Sequence, residues 1–191
     1  MTTRGPRRRC GGALVALAVT IGAACDADAP GTATSTVSDL GSAVVELAAD
    51  ALDAAVEIVA VGCGPQPNSG IGGVLDATHV VTTAHTVAGS TRVEVSTVDG
   101  SVLPAQVVLL DTTLDVALLR LEAHPGRPAT LVAGRPDRGA YGVIAVHTPD
   151  GGGLESRPVT VLRPVTIRTT DIHRRDPVER HGYELAATVE P

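Results

Sequence analysis

Aromatic residues are almost absent from this chain of 191 residues, which contains two tyrosines but neither phenylalanine nor tryptophan. Its core must therefore be built from Val, Leu, Ile and Ala. Lysine is absent too, and 15 arginines face 21 acidic residues. Without residues 1–24, which hold four arginines and no acid, the net charge is −10. Because phosphate binding depends on clustered Lys and Arg, this composition excludes nucleic acid as a partner.

The sequence also lacks an apolar run long enough for a membrane-spanning helix. Its N-terminal apolar stretch, residues 13–24, has about a dozen residues, well short of the roughly 20 that a bilayer requires. Arginines precede this stretch, so residues 1–24 are predicted to be a signal peptide and the protein to be exported. The residues before Cys25 are similar to a bacterial lipobox, although Gly22 stands where a larger aliphatic residue is usual. Lipidation of Cys25, with membrane attachment, and simple cleavage with secretion are both open.

Cysteine is scarce, with three in the chain. Cys10 lies in the predicted signal peptide and Cys25 at its end, which leaves Cys63 for the folded part. A single cysteine in an exported protein implies a free thiol, an intermolecular bridge or a partner outside this chain. A small buried apolar side chain is the remaining alternative.

Composition divides the chain into a tether and one β-rich domain, residues 38–191. Residues 25–37 are rich in Asp, Ala, Thr, Gly and Pro and are predicted to be a flexible tether. Apolar residues then recur at three- and four-residue intervals, which predicts an amphipathic helix over residues 38–54. We expect this helix to lead into the first strand and to cover a barrel end.

Short β-branched runs separated by turn residues predict about six strands over residues 55–122, enough for one small antiparallel barrel. A proline- and glycine-containing link follows at residues 123–128. The region 129–191 has too few strand-like runs to close a second barrel. These runs are residues 130–132, 141–146, 157–169 and 183–189.

The most informative stretch is Val-Val-Thr-Thr-Ala-His-Thr-Val at positions 80–87. Its β-branched run predicts a buried strand that gives way to a turn at His85. An imidazole at such a strand end is held rigidly by the buried strand on one side and is open to solvent on the other. This setting suits a general base.

A carboxylate occupies a similar position about thirty residues later. Asp115 opens the apolar run Val-Ala-Leu-Leu-Arg-Leu at positions 116–121, so it is expected at a strand end with one side against the core. A carboxylate there is costly unless hydrogen-bonded or paired, and the Nδ1–H of an imidazole is a suitable partner. The sequence thus predicts His85 as base and Asp115 as the acid that orients it. Asp111 is the alternative acid if the strand register is shifted.

These two motifs resemble those of the trypsin-like serine proteases, and their short spacing is most similar to the bacterial HtrA-type branch. In that family the motifs contribute the His and Asp of the catalytic triad, in the chain order His, Asp, Ser. The resemblance covers about residues 56–191. It implies a mainly β fold of antiparallel barrels, the first complete and the second incomplete, after the N-terminal helix. It also implies a protein or peptide substrate and no metal or organic cofactor.

The family's nucleophile is the feature that the sequence does not show. Residues 183–191 resemble the strand leading into the Gly-Asp/Asn-Ser-Gly-Gly turn, and the chain stops at Pro191, where that turn is expected. Ser69 precedes His85 and matches a strand of the family rather than the nucleophile turn. Since nucleophile and oxyanion donors are both missing, we expect the chain as given to be inactive. The resemblance favours a partner for Cys63 encoded beyond Pro191.

The other histidines are expected to have surface roles. His173 and His181 lie near several acids but match no metal-binding spacing, and the charged residues 172–181 are typical of a solvated loop. A second hypothesis keeps the protease scaffold without catalysis. In it, the protein is a surface-attached lipoprotein that holds a peptide or protein by strand addition to an open sheet edge.

Overall fold

The computed structural model describes residues 37–62, 64 and 66–187. This part of the chain is mainly β, as predicted, with a helix before the first strand. Its elements are α1 (Val37–Asp53), β1 (Ala55–Gly62), β2 (Asn68–Val74), β3 (His79–Thr82), α2 (Ala84–Val87), β4 (Ser90–Ser96), β5 (Val102–Asp111), β6 (Val116–Leu121), β7 (Tyr141–His147), β8 (Leu154–Thr170) and β9 (Pro177–Ala187). The predicted signal peptide, Cys25, Cys63 and the predicted tether up to residue 36 lie outside the described residues.

The first six strands close into an antiparallel barrel in the order β1-β2-β3-β6-β5-β4. This confirms the predicted first barrel. Closure pairs β3 with β6, so that Val80 lies opposite Leu119 and Thr82 opposite Ala117. The C-terminal end of β3 therefore lies beside the N-terminal end of β6. Two segments distant in sequence meet at one mouth of the barrel.

Aliphatic side chains fill the barrel, because alternate residues of each strand point inward. Ile58, Val80, Val95 and Leu119 are fully buried. The buried core cluster consists of Val56, Ile58, Ala60, Val74, Val80, Val87, Val93, Val95, Ala117, Leu119 and Leu121. The expected core of Val, Leu, Ile and Ala is thus confirmed, and it gives the barrel mouth a rigid base.

The last three strands form a separate sheet in the order β7-β8-β9. Strands β8 and β9 make a long hairpin, with Val159 opposite Ala187 at one end and Thr170 opposite Pro177 at the other. Within the described residues β7 and β9 have one neighbour each, so the second barrel is incomplete, as predicted. The expectation of a solvated loop up to His181 is wrong, because β9 begins at Pro177.

Helix α1 packs against the second sheet rather than over a barrel end, so the predicted contact is wrong although the helix is correct. Leu47 and Ala51 are buried against Val143 of β7. An apolar stripe shows that one side of a helix is covered but not which element covers it. No helix in the described part of the chain is both long and apolar enough to cross a membrane.

The connection between barrel and sheet is irregular. Residues 130–132 were predicted to form a strand, but they have no regular structure, and Leu131 is 60% exposed. Hydrogen bonds hold the connection on both sides of residues 130–138. The Ala129 N–H donates to Val74 O (2.8 Å) and the Gly139 N–H donates to Val161 O (2.7 Å). Three residues without a neighbouring strand cannot form a ladder, which explains why this predicted strand does not form.

Candidate active site

His85 is the second residue of α2, the four-residue helix that follows β3. Its neighbours Ala84, Thr86 and Val87 are buried, whereas the His85 side chain is 62% exposed. The hydroxyl groups of Thr86 and of Thr83, the residue just before the helix, form a hydrogen bond at 2.7 Å. The short helix is therefore anchored on its inner side while the imidazole stands at the surface.

Asp115 lies in the turn between β5 and β6. Asp111 shapes this turn, because its Oδ1 accepts the N–H groups of Thr113 (2.9 Å) and Leu114 (2.8 Å). Asp115 has a φ of 62°, in the left-handed region that Asp tolerates better than most residues. This backbone conformation directs the chain into β6, and the side chain of Asp115 is 16% exposed.

The two side chains meet at the barrel mouth. The Asp115 carboxylate accepts the backbone N–H of His85 through Oδ1 at 2.9 Å. The same carboxylate lies against the ring, with Oδ2 2.8 Å from Nδ1. Because a carboxylate can only accept, this contact requires a proton on Nδ1, and in the neutral imidazole the lone pair of Nε2 is then free. The structure thus brings together the pair that the sequence predicted and pairs His85 with Asp115 rather than Asp111.

A third side chain, absent from the sequence predictions, completes this cluster. Arg180 reaches across from β9, where its Nε donates to Thr113 O at 3.0 Å and its Nη1 lies 3.6 Å from Asp115 Oδ2. No local motif marks Arg180, which lies in the charged segment that was interpreted as a loop. Its place depends on the pairing of β8 with β9, which a linear pattern does not encode.

A family model described as a trypsin-like peptidase domain matches residues 68–188, the region that contains this cluster. The chain belongs to the trypsin-like peptidase family. This confirms the resemblance to trypsin-like serine proteases inferred from the two motifs.

Among individual relatives of this trypsin-like peptidase is the serine protease Rv3671c of Mycobacterium tuberculosis. It is 33% identical over 122 residues, which cover 63% of this chain and 30% of the relative. The chain therefore spans less than a third of the length of the curated relatives it matches. The crystal structure of the active form of the Rv3671c protease gives a TM-score of 0.69 at 28% identity, over 88% of this chain and 74% of the other. An HtrA-type protease with a tripeptide gives 0.54 at 19% identity, over 64% and 44% of the two chains, and so shares the fold.

The other candidate residues of this trypsin-like peptidase do not form a second site. Ser69 lies within β2 opposite Val59 of β1, not in a turn. His181 accepts or donates at Nδ1 with the hydroxyl of Thr166 at 3.1 Å. In the described ranges, no group of three His, Cys, Asp or Glu side chains could hold a metal ion.

A cavity of about 540 Å³ opens beside the His85–Asp115 pair, between the barrel, α1 and the second sheet. Its walls are mostly aliphatic and include Asp115 of the β5–β6 turn together with Arg180, Tyr141 and Tyr183 of the second sheet. The cavity separates the barrel from the sheet along the side on which the site lies.

Proposed function

We propose that this chain supplies the base and the orienting acid of an exported serine endopeptidase that hydrolyses peptide bonds through a His-Asp-Ser triad. The observation that supports the proposal is the double contact of the Asp115 carboxylate with the backbone N–H and Nδ1 of His85. This contact fixes both the orientation and the tautomer of the ring.

The arrangement suits proton transfer at Nε2. In the proposed reaction, Nε2 accepts the proton of a serine hydroxyl while that oxygen attacks the peptide carbonyl, and Nε2 then returns the proton to the leaving amine. The imidazolium formed between these steps is stabilised by Asp115. Because 62% of the His85 side chain is exposed, a nucleophile and a substrate can approach it from outside the barrel.

The proposal assigns the nucleophile and the oxyanion donors to a segment outside these 191 residues. The candidate within the chain, Ser69, sits in a strand whose next residue, Gly70, faces the buried side chain of Thr86. Since neighbouring strand residues point to opposite faces, Ser69 points away from that side. We therefore expect no covalent labelling of the 191-residue protein by a fluorophosphonate probe, and labelling would refute this assignment.

A chimera tests the catalytic roles directly. Residues 1–187 of this chain are joined to the C-terminal part of the Rv3671c protease that follows the matched region. We expect the chimera to react with the fluorophosphonate and to cleave peptides, and a folded chimera without either activity would count against the proposal.

In that chimera, Asp115→Asn is expected to lower kcat about 10⁴-fold, because an amide in place of the carboxylate favours the wrong imidazole tautomer. Asp111→Asn is the matched control. Its amide oxygen can still accept the two turn N–H groups, so we expect kcat to change by less than about tenfold. Steady-state kinetics with a peptide substrate measures both values, and equal losses in the two variants would contradict the assignment of Asp115.

Export and the processing of the N-terminus belong to the same proposal. Residues 1–24 would be removed, after which Cys25 either carries a lipid that anchors the protein to a membrane or stays near a free N-terminus. Mass spectrometry of the protein purified from a bacterial host distinguishes these products. Retention of residues 1–24 in exported protein would contradict the signal-peptide assignment.

The second candidate function is non-catalytic binding of a peptide or protein by strand addition. The observation that favours it is the sheet β7-β8-β9, in which the outer edges of β7 and β9 have no strand partner among the described residues. Labelling by the fluorophosphonate of the protein isolated from its natural source would exclude this candidate. Absence of labelling together with saturable peptide binding would favour it over the endopeptidase.

A further inference from the structure

Arg180 joins the second sheet to the turn that carries Asp115. Its guanidinium uses two nitrogens, with Nε donating to Thr113 O at 3.0 Å and Nη1 3.6 Å from Asp115 Oδ2. The side chains of Arg180 and Asp115 are 20% and 16% exposed, so this contact is largely shielded from water. Arg180 thus holds both ends of the segment from Thr113 to Asp115.

The turn needs such support because Asp115 has a left-handed backbone, which persists only where its surroundings enforce it. Asp111 holds the start of the turn through two backbone N–H groups. On the side that faces the second sheet, Ile172 N–H donates to Thr112 O at 3.3 Å. Arg180 is the contact that extends this support to Asp115 itself.

The His85 ring and the Arg180 guanidinium approach the Asp115 carboxylate at different distances. His85 Nδ1 lies 2.8 Å from Oδ2, whereas Arg180 Nη1 stays at 3.6 Å because its Nε is bound to Thr113 O. The imidazole therefore donates the short hydrogen bond to the carboxylate, and the guanidinium restrains the carboxylate without displacing the ring.

We propose that Arg180 is a positioning residue, which holds the Asp115 carboxylate towards Nδ1 of His85 and so keeps the imidazole in its Nδ1–H tautomer with Nε2 free. The inference rests on the proposed function, since it assigns Arg180 a part in preparing the same base. It adds that the second sheet, through Arg180 of β9, positions the carboxylate of Asp115 at the mouth of the barrel.

Nitrogen NMR of the full 191-residue protein tests this role without requiring catalysis. Long-range ¹H–¹⁵N spectra report which imidazole nitrogen carries the proton, and they are recorded at about pH 8, above the usual titration range of histidine. A His85→Gln variant assigns the signal. We expect the wild type to show the Nδ1–H form and Arg180→Gln to shift most of His85 to the Nε2–H form.

Arg168→Gln is the matched control. Arg168 lies on β8 of the same hairpin and forms an exposed ion pair with Glu179 at 3.4 Å, with 88% of its side chain exposed. This variant removes the same charge from the same hairpin, so an effect of the lower hairpin charge by itself would appear in both variants. We expect His85 in Arg168→Gln to keep the wild-type tautomer.

A folded Arg180→Gln protein with the wild-type tautomer would overturn the proposal. If circular dichroism shows that this variant does not fold, the Arg180→Lys variant provides the test. Lysine keeps the charge, but its single nitrogen cannot serve Thr113 O and Asp115 from two positions, so a mixture of tautomers is expected and a wild-type spectrum would overturn the proposal.

Asp115→Asn separates this inference from the proposed function. If that variant leaves the His85 tautomer unchanged, the His85–Asp115 pair itself fails, and the proposed function with it. If Asp115→Asn changes the tautomer and a folded Arg180→Gln does not, the role of Arg180 alone is wrong.

Discussion

Individual backbone positions at the barrel mouth set the geometry of the site. Asp115 can adopt its φ of 62° because Asp and Asn tolerate the left-handed region, which β-branched residues do not. An Asn at this position therefore keeps the turn, and the tests with Asp115→Asn change the chemistry rather than the fold.

Gly70 makes room for the helix that carries His85. A Cβ at this position would lie 2.7 Å from Thr86 Oγ1 and 2.9 Å from its Cγ2, and Thr86 is buried. We predict that Gly70→Ala lowers the free energy of unfolding by about 1–3 kcal/mol, the usual cost of overpacking. Urea denaturation measures this change.

Gly73→Ala in the same strand is the control. Its Cβ would meet no atom closer than 3.7 Å, so we expect a change within about 0.5 kcal/mol. If the two variants are equally stable, the contact between Gly70 and Thr86 does not constrain α2.

At this scale the sequence predicted the residues that lie in local motifs. His85 and Asp115 each stand at a strand end that apolar patterns reveal, and the barrel brings the two ends together. Arg180 escaped prediction because its contact with Thr113 depends on the register of a hairpin. One strand of that hairpin was interpreted as a loop over its first residues.

Among the elements, the β8–β9 hairpin connects the second sheet to the β5–β6 turn of the barrel through Ile172 and Arg180. Asp171 closes its tip, where its Oδ1 accepts the N–H of Arg175 at 2.7 Å, and its side chain is buried. This hydrogen bond from Arg175 is the main cause that holds the pKa of Asp171 below the ordinary value of 3.8, while burial acts in the opposite direction. The ionised carboxylate therefore stabilises the tip.

Asp171→Asn is predicted to show how this stabilisation depends on pH. A carboxyl whose pKa is lower in the folded state stabilises the protein above its unfolded pKa of about 3.9 and loses that effect as pH falls through the folded value. The wild type should thus be more stable than Asp171→Asn at neutral pH, and the difference should shrink below about pH 4. Urea titrations at several pH values measure it, and a difference that stays constant down to pH 3 would refute the role of the charge.

The elements also show where sequence patterns stop being informative. The stripe of α1 revealed a helix, but Leu47 and Ala51 pack on Val143 of the second sheet, a contact between segments far apart in sequence. Residues 130–132 have strand-forming composition without a neighbouring strand. A local pattern shows which segments can form an element, whereas the whole fold decides whether a strand has a partner and what a helix packs against.

For the whole molecule, stability depends on an aliphatic barrel core without any aromatic ring. We predict that Leu119→Ala, at a fully buried position, lowers the free energy of unfolding by about 2–5 kcal/mol, as core leucine truncations do. Leu109→Ala is the control, because Leu109 is 51% exposed, and should cost less than about 0.5 kcal/mol. Chemical denaturation compares the two, and a smaller loss for Leu119→Ala than for Leu109→Ala would contradict the assignment of the core.

The architecture as a whole was more predictable than the contacts within it. Short β-branched runs separated by turn residues sufficed to predict a closed first barrel. The scarcity of strand-like runs after residue 129 likewise predicted a sheet that does not close. The position of that sheet against α1 and the β5–β6 turn required coordinates.

The cavity beside the site has one more property, which follows from the composition. Tyr141 and Tyr183 both border it, and these two are the complete set of tyrosines in a chain without tryptophan or phenylalanine. Every intrinsic fluorophore of the protein therefore borders this cavity. A peptide, strand or small molecule that enters there should alter the ultraviolet emission, while binding on the far side of the barrel should leave it unchanged, so the native protein can report occupancy of this space without an attached dye.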